Sequence, residues 1–201
     1  MTNQTVINDR LTVGQTMAIY KDKRYNYINE IKTRINSANN REVVFFNDNY
    51  LNALCLSHVM LNRTKASLSI ISGINILAFL KILSEPFLDL VNRIKDAGKI
   101  RFLVLAPYDF KNDDKLESQL LEFAKSIKIK IRKPQPHLIL HHAIISDSRD
   151  YRLEALHNEI TEDSNANEIH AKVVFNGRKA FWLQNQFDIL FDSEDPKYFL
   201  K

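Results

Sequence analysis

Residues 141–154 read HHAIISDSRDYRLE and hold two strand-forming segments separated by a polar turn. The first segment, 141–146, predicts a strand, and residues 151–154 predict its hairpin partner. Two prolines precede this stretch and predict a turn. Before them, the basic and apolar residues of KIKIR, 128–132, alternate with a period of two, which predicts another strand.

Apolar periodicity predicts an alternation of helices and strands over the rest of the chain. Predicted strands cover 43–46, 67–72, 100–105 and 172–175, and predicted helices cover 13–40, 50–61, 86–97, 116–127 and 178–191. Residues 74–83 fit either a loop or a short helix, and Asn47 and Asp48 offer an N-cap for the second helix. Trp182 and the phenylalanines of the last helix are predicted to lie in the core. The alternation indicates an α/β fold, with one layered sheet flanked by helices.

The composition is that of a globular domain and excludes several kinds of site. Of the 201 residues, 45% are hydrophobic, 26% are charged and only four are glycines. No glycine-rich nucleotide-binding motif is present. The single cysteine, Cys55, provides neither a disulfide nor a pair of metal ligands. We expect a buried, unreactive thiol, no cofactor and a cytoplasmic protein.

Charge and hydropathy along the chain limit its partners. The first thirty residues contain no continuous apolar segment, and no stretch approaches the ~18 apolar residues of a membrane span. We therefore expect neither a signal peptide nor a membrane partner. The chain carries 28 Lys and Arg against 24 Asp and Glu, a net charge of +4. An excess this small favours a nucleic-acid partner only where the charges cluster.

The chain is predicted to divide near residue 40. An N-terminal amphipathic helical arm, 1–40, precedes an α/β domain, 41–201. Apolar residues of the arm recur at spacings of three and four over residues 13–38, so this stripe must be buried against another surface. Two surfaces stay open: the chain's own α/β domain, or a partner protein, which includes a second copy of the chain.

Three of the six histidines, His137, His141 and His142, lie close together in the sequence. In a helix, His137 and His141 would stand one turn apart as metal ligands. The preceding prolines and the β-forming residues between the histidines favour an extended chain instead. A zinc site would then need ligands from elsewhere, so we predict structural or surface histidines and no metal.

The order of the elements and two local motifs resemble one domain of the phospholipase D-like superfamily. The motifs are HHAIISD, 141–147, followed by YRLE, 151–154, and KVVFNG, 172–177, leading into the last helix. The resemblance covers residues 41–195 and implies a layered α/β sheet flanked by helices. Active members carry H-x-K-x-x-x-x-D, in which a histidine attacks phosphorus, a lysine holds phosphate oxygens and an acidic group orients an imidazole. Two motifs meet at a two-fold or pseudo-two-fold axis, which implies a homodimer here.

This sequence departs from the active motif at the positions that bind phosphate. With His141 as the nucleophile, Ala143 stands where the lysine belongs, and Asp147 comes one residue early for the acid. The register that starts at His142 also fails. The polar Gly-Ser-x-Asn element is replaced by LEAL, 153–156. Since one lost charge-stabilising donor costs ~2.7–4 kcal/mol of transition-state stabilisation, we expect a degenerate, non-catalytic member.

A cluster of basic residues is the candidate nucleic-acid site. It consists of Lys125, Lys128, Lys130, Arg132 and Lys133. In a strand, the middle three share one face and form a stripe that can follow a phosphate backbone. A second interpretation stays open, in which these residues protect an edge strand from aggregation.

These observations lead to three hypotheses. The first is a non-catalytic phospholipase D-like module that binds DNA, RNA or a protein, with a homodimer as one form. The second is a metal-independent phosphodiesterase or nuclease, active as a homodimer, with His141 as nucleophile and Asp147 as the acidic partner. The third is a scaffold or regulatory subunit that docks through residues 13–38.

Overall fold

A computed structural model describes residues 12–47, 49–73, 76–94, 99–105, 118, 128–132, 142–154 and 170–192. The helices are α1 (Val13–Ser37), α2 (Tyr50–Arg63), α3 (Ile76–Ile82), α4 (Ser84–Arg93) and α5 (Lys179–Asp192). The strands are β1 (Val43–Asn47), β2 (Leu68–Gly73), β3 (Ile100–Leu105), β4 (Lys128–Arg132), β5 (His142–Ser146), β6 (Asp150–Glu154) and β7 (Ala171–Phe175). The predicted helix at 116–127 lies outside the described residues, apart from residue 118.

The strands of the described residues form one seven-stranded sheet in the order β1-β7-β6-β5-β2-β3-β4. Strands β2, β3 and β4 run parallel, and the other neighbouring pairs are antiparallel. β5 and β6 form the predicted hairpin, with His142 opposite Glu154. The mixed α/β class predicted from the sequence, a layered sheet flanked by helices, is confirmed.

Side chains of successive strand residues point to opposite faces, so each face of the sheet has its own helices. The larger core lies between one face and α1, α2 and α4, and contains Phe102, Val173 and Phe175. On the other face, Phe187 and its neighbours in α5 pack on Leu103 and other strand residues. None of the helices in the described ranges is both long enough and apolar enough to cross a membrane.

The N-terminal helix packs on its own chain. Its N-terminus is closed by a capping box between Thr12 and Gln15. The apolar stripe is buried in the larger core, where Tyr20 donates or accepts a 2.9 Å hydrogen bond with His58 Nδ1 on α2. Burial of Ile28 and Ile31 contributes about 1.5–3 kcal/mol each. The stripe is therefore buried against the chain's own α/β domain, which is one of the two surfaces that the sequence left open. The division into two domains at residue 40 stays a prediction.

Two local predictions were wrong. The N-cap of α2 is Asn49 and not Asn47 or Asp48, because Asn49 directly precedes Tyr50, the first helical residue, and its side chain accepts a 2.8 Å hydrogen bond from the Asn52 amide. Trp182 is 54% exposed and Phe181 is 65% exposed. The α5 residues that face the sheet include Ala180 and follow at helical spacing, which turns positions 181 and 182 toward solvent.

Candidate functional site

The β5–β6 hairpin lies inside the sheet and brings His142 to the edge of the sheet at which the parallel strands β2, β3 and β4 end. His142 begins β5, and Glu154, which ends β6, stands opposite it in the ladder. The His142 imidazole lies beside the end of β2, since a Cβ added to Gly73 would be 3.6 Å from Nε2. Parallel strands end at this edge, which is where ligands commonly bind in α/β sheets. His137 and His141 lie outside the described residues.

A buried ion pair on β6 occupies the same edge. Arg152 Nη2 lies 2.8 Å from Glu154 Oε2, and each side chain is only 7% exposed. The guanidinium of Arg152 also lies over the Phe79 ring, 5.7 Å from its centroid. Burial raises the pKa of Tyr50 to about 12, with Glu154 raising it further and Arg152 opposing the shift, so the hydroxyl is neutral at pH 7. The charge of Arg152 is thus balanced by Glu154.

Arg152 pairs with Ile144 and so lies on the other face of the sheet from Ala143, the position of the missing lysine, while the exposed Lys172 stands in the ladder row of Ala143 through Leu153. Ala143, which stands at that position in the motif, is buried in the α5-facing core. Breaking a buried ion pair costs about 3–5 kcal/mol. That cost is as large as the ~2.7–4 kcal/mol that a charge-stabilising donor contributes to catalysis. The arrangement therefore does not favour phosphoryl transfer through Arg152.

Asp147 lies at the opposite end of β5 from His142. Its carboxylate accepts hydrogen bonds from the backbone N–H groups of Lys65, Ala66 and Ser67 at 2.8, 2.8 and 2.9 Å. Asp147 lies five residue steps along the strand from His142, roughly 17 Å at ~3.4 Å per residue. Within one chain, Asp147 therefore holds the loop between α2 and β2 and does not reach that imidazole. The catalytic roles of His141 and Asp147 stay predictions.

A charged cluster that the sequence analysis missed lies at the same end as Asp147. The Asp150 carboxylate is fully buried and accepts hydrogen bonds from Arg63 Nε at 3.3 Å and Arg149 Nη2 at 2.9 Å. It also accepts one from the backbone N–H of Asn176 at 2.9 Å. A single carboxylate therefore orients two guanidinium groups. The available signal was on β6, where charged residues occupy every second position, Asp150, Arg152 and Glu154.

The basic strand β4 lies at an end of the described strand order. Its residues Lys128, Lys130 and Arg132 stand at the register positions of Arg101, Leu103 and Leu105 on β3. The predicted strand bounds are those that the structure has. Lys125 and Lys133, the flanking members of the basic cluster, lie outside the described residues.

Cys55 and the acidic and histidine side chains do not form a metal site in the described part of the chain. No group of three or more His, Cys, Asp and Glu residues there is arranged to hold a metal ion. Cys55 is buried, as the sequence predicts, and burial raises the pKa of its thiol to about 12. The thiol is therefore neutral and hidden at physiological pH.

Solved structures provide the comparison with known proteins. The chain is similar in fold to TrmBL2, an archaeal chromatin protein whose structure shows a novel mode of DNA binding. The TM-score is 0.52 at 11% identity, over 87% of this chain and 64% of that one. The chain thus spans less than two thirds of that protein, and the likeness concerns the fold alone.

Two further similar structures come from bacteria. Nuc from Salmonella typhimurium, a phospholipase D family member, has a TM-score of 0.49 at 12% identity, covering 74% of this chain and 93% of that one. NucT from Helicobacter pylori has a TM-score of 0.47 at 13% identity, covering 76% and 96%. No protein-family model and no curated protein matches the sequence.

Proposed function

We propose that the chain is a non-catalytic phospholipase D-like module that binds nucleic acid in the cytoplasm. The observation that carries the proposal is the alternation of Lys128, Lys130 and Arg132 along an edge strand of the described sheet. Three cations at every second position repeat at about 6.8 Å, since each strand residue advances ~3.4 Å. This repeat is about twice the ~3.4 Å axial spacing of phosphates along one DNA strand.

The apolar residues of β4 support the same arrangement. Ile129 and Ile131 stand at the register positions of Phe102 and Val104, which are buried in the larger core. We propose that the basic residues, which alternate with these isoleucines in the sequence, turn to the other side of the strand. We include Lys125 and Lys133, which flank the strand in sequence, in the proposed nucleic-acid site.

Similarity in fold to the chromatin protein TrmBL2 supports a nucleic-acid partner. The two proteins share only 11% of their residues in the aligned part. A fold hosts many functions, so this support is by analogy and the basic stripe provides the physical argument.

The absence of catalysis is proposed from the motif and from the ion pair. Ala143 provides no charge for a phosphate, and the charge of Arg152 is balanced by Glu154. A bound nucleic acid would meet cations that neutralise its backbone, while Arg152, which shares a face of the sheet with His142, is paired with Glu154. We therefore expect binding without cleavage.

The test is a binding titration with a labelled DNA duplex and a variant with Lys128→Gln, Lys130→Gln and Arg132→Gln. Each phosphate contact contributes about 0.9 to the slope of log K against log salt, so the triple change should lower that slope by about 2.7. Between about 50 and 200 mM salt, the wild-type affinity should then fall roughly 40-fold more than the affinity of the variant.

A charge-matched control distinguishes the effect of removing the β4 cations from the effect of a general loss of positive charge. Lys32, Lys81 and Lys172 are exposed and lie on α1, α3 and β7, away from β4. Their triple change to Gln should leave the slope within about 0.5 of the wild-type value. Equal slopes for wild type and the β4 variant would show that the basic strand only protects an edge.

The homodimeric phosphodiesterase is a second candidate because His142 lies at the edge where parallel strands end. In this version, two His141 side chains meet across a dimer axis. Metal-independent cleavage of a duplex by the wild type, lost in His141→Ala, would establish it and reject the non-catalytic proposal. Light scattering on the same sample measures whether the chain is a dimer.

The third candidate, a scaffold that docks through residues 13–38, uses the outer face of α1, because the inner stripe is buried on α2. Deleting α1 would expose that core. The test therefore uses exposed positions, Lys32→Glu and Arg34→Glu. Unchanged association of such a variant with any partner that binds the wild type would reject docking through this face.

A further inference from the structure

The edge of the sheet opposite His142 gathers arginine and lysine side chains from loops that are distant in sequence. The ladder registers bring together the starts of β1, β2, β3, β4 and β6 and the ends of β5 and β7 at this edge. The loops there carry a set of cations that we name the basal rim: Arg41, Arg63, Lys65, Arg149 and Arg178.

Hydrogen bonds show that these loops touch one another. Asn176 donates to the carbonyl oxygen of Arg41 at 3.2 Å, and the Gly177 amide donates to that of Arg149 at 2.8 Å. The Arg149 guanidinium donates to the carbonyl oxygen of Arg63 at 3.3 Å. Together with the amide of Lys65 on Asp147, these bonds join the rim into one continuous surface.

The acidic side chains at this edge face inward. Asp150 is fully buried between Arg63 and Arg149, and Asp147 is 13% exposed and bound to backbone amides. In the described segments at this edge, the five rim cations and Lys99, which precedes β3, oppose these two carboxylates and one exposed acid, Glu42. The surface that faces solvent is therefore more positive than the count of charges suggests.

The rim is also partly preorganised. Asp150 fixes the guanidinium groups of Arg63 and Arg149, which nevertheless remain 25% and 36% exposed. Holding these side chains before binding reduces the conformational entropy that a ligand must overcome. Arginine suits phosphate because its planar group offers two parallel donors.

The length and chemistry of the rim select the ligand. From β1 to β2, the strands preceded by the outermost rim cations Arg41 and Lys65, four strand spacings of ~4.8 Å give roughly 19 Å, about half a turn of a duplex. Single-stranded nucleic acid is bound by stacking its bases on exposed aromatic rings. The described loops that carry the rim cations contain no aromatic ring, and Tyr151 and Phe175 beside them are 3% and 0% exposed. The exposed rings nearest in sequence, Phe181 and Trp182, lie on α5 and not in these loops.

We propose that the basal rim binds the phosphate backbone of double-stranded nucleic acid. This inference rests on the proposed nucleic-acid binding, and it adds a surface to β4, whose first residue, Lys128, lies at the same edge. The rim runs across the strand ends, whereas the β4 stripe runs along one strand. The two surfaces can therefore be tested separately.

The test changes only the rim cations that make no side-chain hydrogen bond or ion pair to the described part of the chain. The variant carries Arg41→Gln, Lys65→Gln and Arg178→Gln, and its circular dichroism and urea midpoint should equal those of the wild type. Anisotropy is measured with labelled DNA and RNA duplexes of about 30 base pairs between about 50 and 200 mM salt.

Loss of three phosphate contacts should lower the salt slope by about 2.7 on at least one duplex, and the Lys32, Lys81 and Lys172 control should not. The DNA and RNA arms identify which duplex the rim binds. A rim variant that binds both duplexes like the control would overturn the inference while β4-dependent binding survives. A wild type that binds no nucleic acid would reject the proposed function itself, and a rim effect confined to single strands would overturn the duplex assignment.

Discussion

Replacement of Glu154 by Gln tests whether the charge of Arg152 is balanced within the fold. The two side chains are 2.8 Å apart and 7% exposed, so Glu154→Gln leaves a guanidinium buried without its counter-charge. Removal of one partner of a buried pair costs about 3–5 kcal/mol. We expect a loss at the middle of this range.

The surroundings of Arg152 explain that expected loss. Arg152 Nε is buried and has no hydrogen-bond acceptor among the described residues, so no second acceptor there replaces Glu154. Tyr50, whose pKa is about 12, does not ionise to supply a negative charge near pH 7. The Phe79 ring at 5.7 Å offers a cation–π contact that recovers at most about 2 kcal/mol.

Urea unfolding followed by far-ultraviolet circular dichroism measures the change. The matched control is the double variant Arg152→Met and Glu154→Leu, which removes both charges and keeps the volume approximately. It should be more stable than Glu154→Gln, because apolar replacement of a whole buried pair is often neutral or stabilising. A cost below about 1 kcal/mol for Glu154→Gln, or a double variant less stable than the single one, would show that the pair does not balance a buried charge.

Three further changes test the elements around the site. Asp147→Ala should cost about 2–4 kcal/mol in urea unfolding because three backbone donors lose a charged acceptor, and Asp147→Asn should cost less because one oxygen remains. Gly177→Ala should cost about 1–3 kcal/mol in the same assay, since the new Cβ would be 2.7 Å from Tyr151 Cε1. Cys55 and Tyr50 have pKa values raised to about 12 by burial, so the unfolded chain loses these protons first. Below pH 9 these two groups should therefore not change the stability. Above the ordinary pKa of each group, the free energy of unfolding should fall by about 1.4 kcal/mol per pH unit for that group. Cys55→Ala should remove the contribution of the thiol.

Local sequence patterns predicted most of the sheet. The bounds of β3 and β4 agree with the predicted strands. β4 alternates basic and apolar residues with a period of two, and β3 is a short run of β-forming residues. The histidine-bearing hairpin was predicted for the same reason. The undecided stretch at 74–83 proved to contain the short helix α3, which packs next to α4.

Predictions failed where the outcome depends on the phase of a helix. Phe181 and Trp182 are large and apolar, yet both point to solvent. The residues of α5 that face the sheet include Ala180 and Phe187. Composition indicates that a helix has an apolar face but not how wide that face is. A stripe counted from Phe187 at alternating intervals of three and four would have excluded both residues.

The charged clusters depend on contacts between distant residues, which single-sequence patterns do not contain. Arg63 and Asp150 are 87 positions apart and meet only because α2 ends beside the start of β6. The same holds for Arg63 and Asn176, which are 113 positions apart. The β6 pattern of alternating charges shows that partners are needed, but the fold decides which ones are supplied.

The salt dependence of duplex binding by the wild-type chain is the sharpest check on nucleic-acid binding without catalysis. We predict measurable affinity for a duplex of about 30 base pairs, with log K falling against log salt by a slope of at least about 2.7, and an uncleaved duplex after the titration. No binding at about 50 mM salt, or cleavage of the duplex without added metal, would contradict a nucleic-acid-binding module that lacks catalysis.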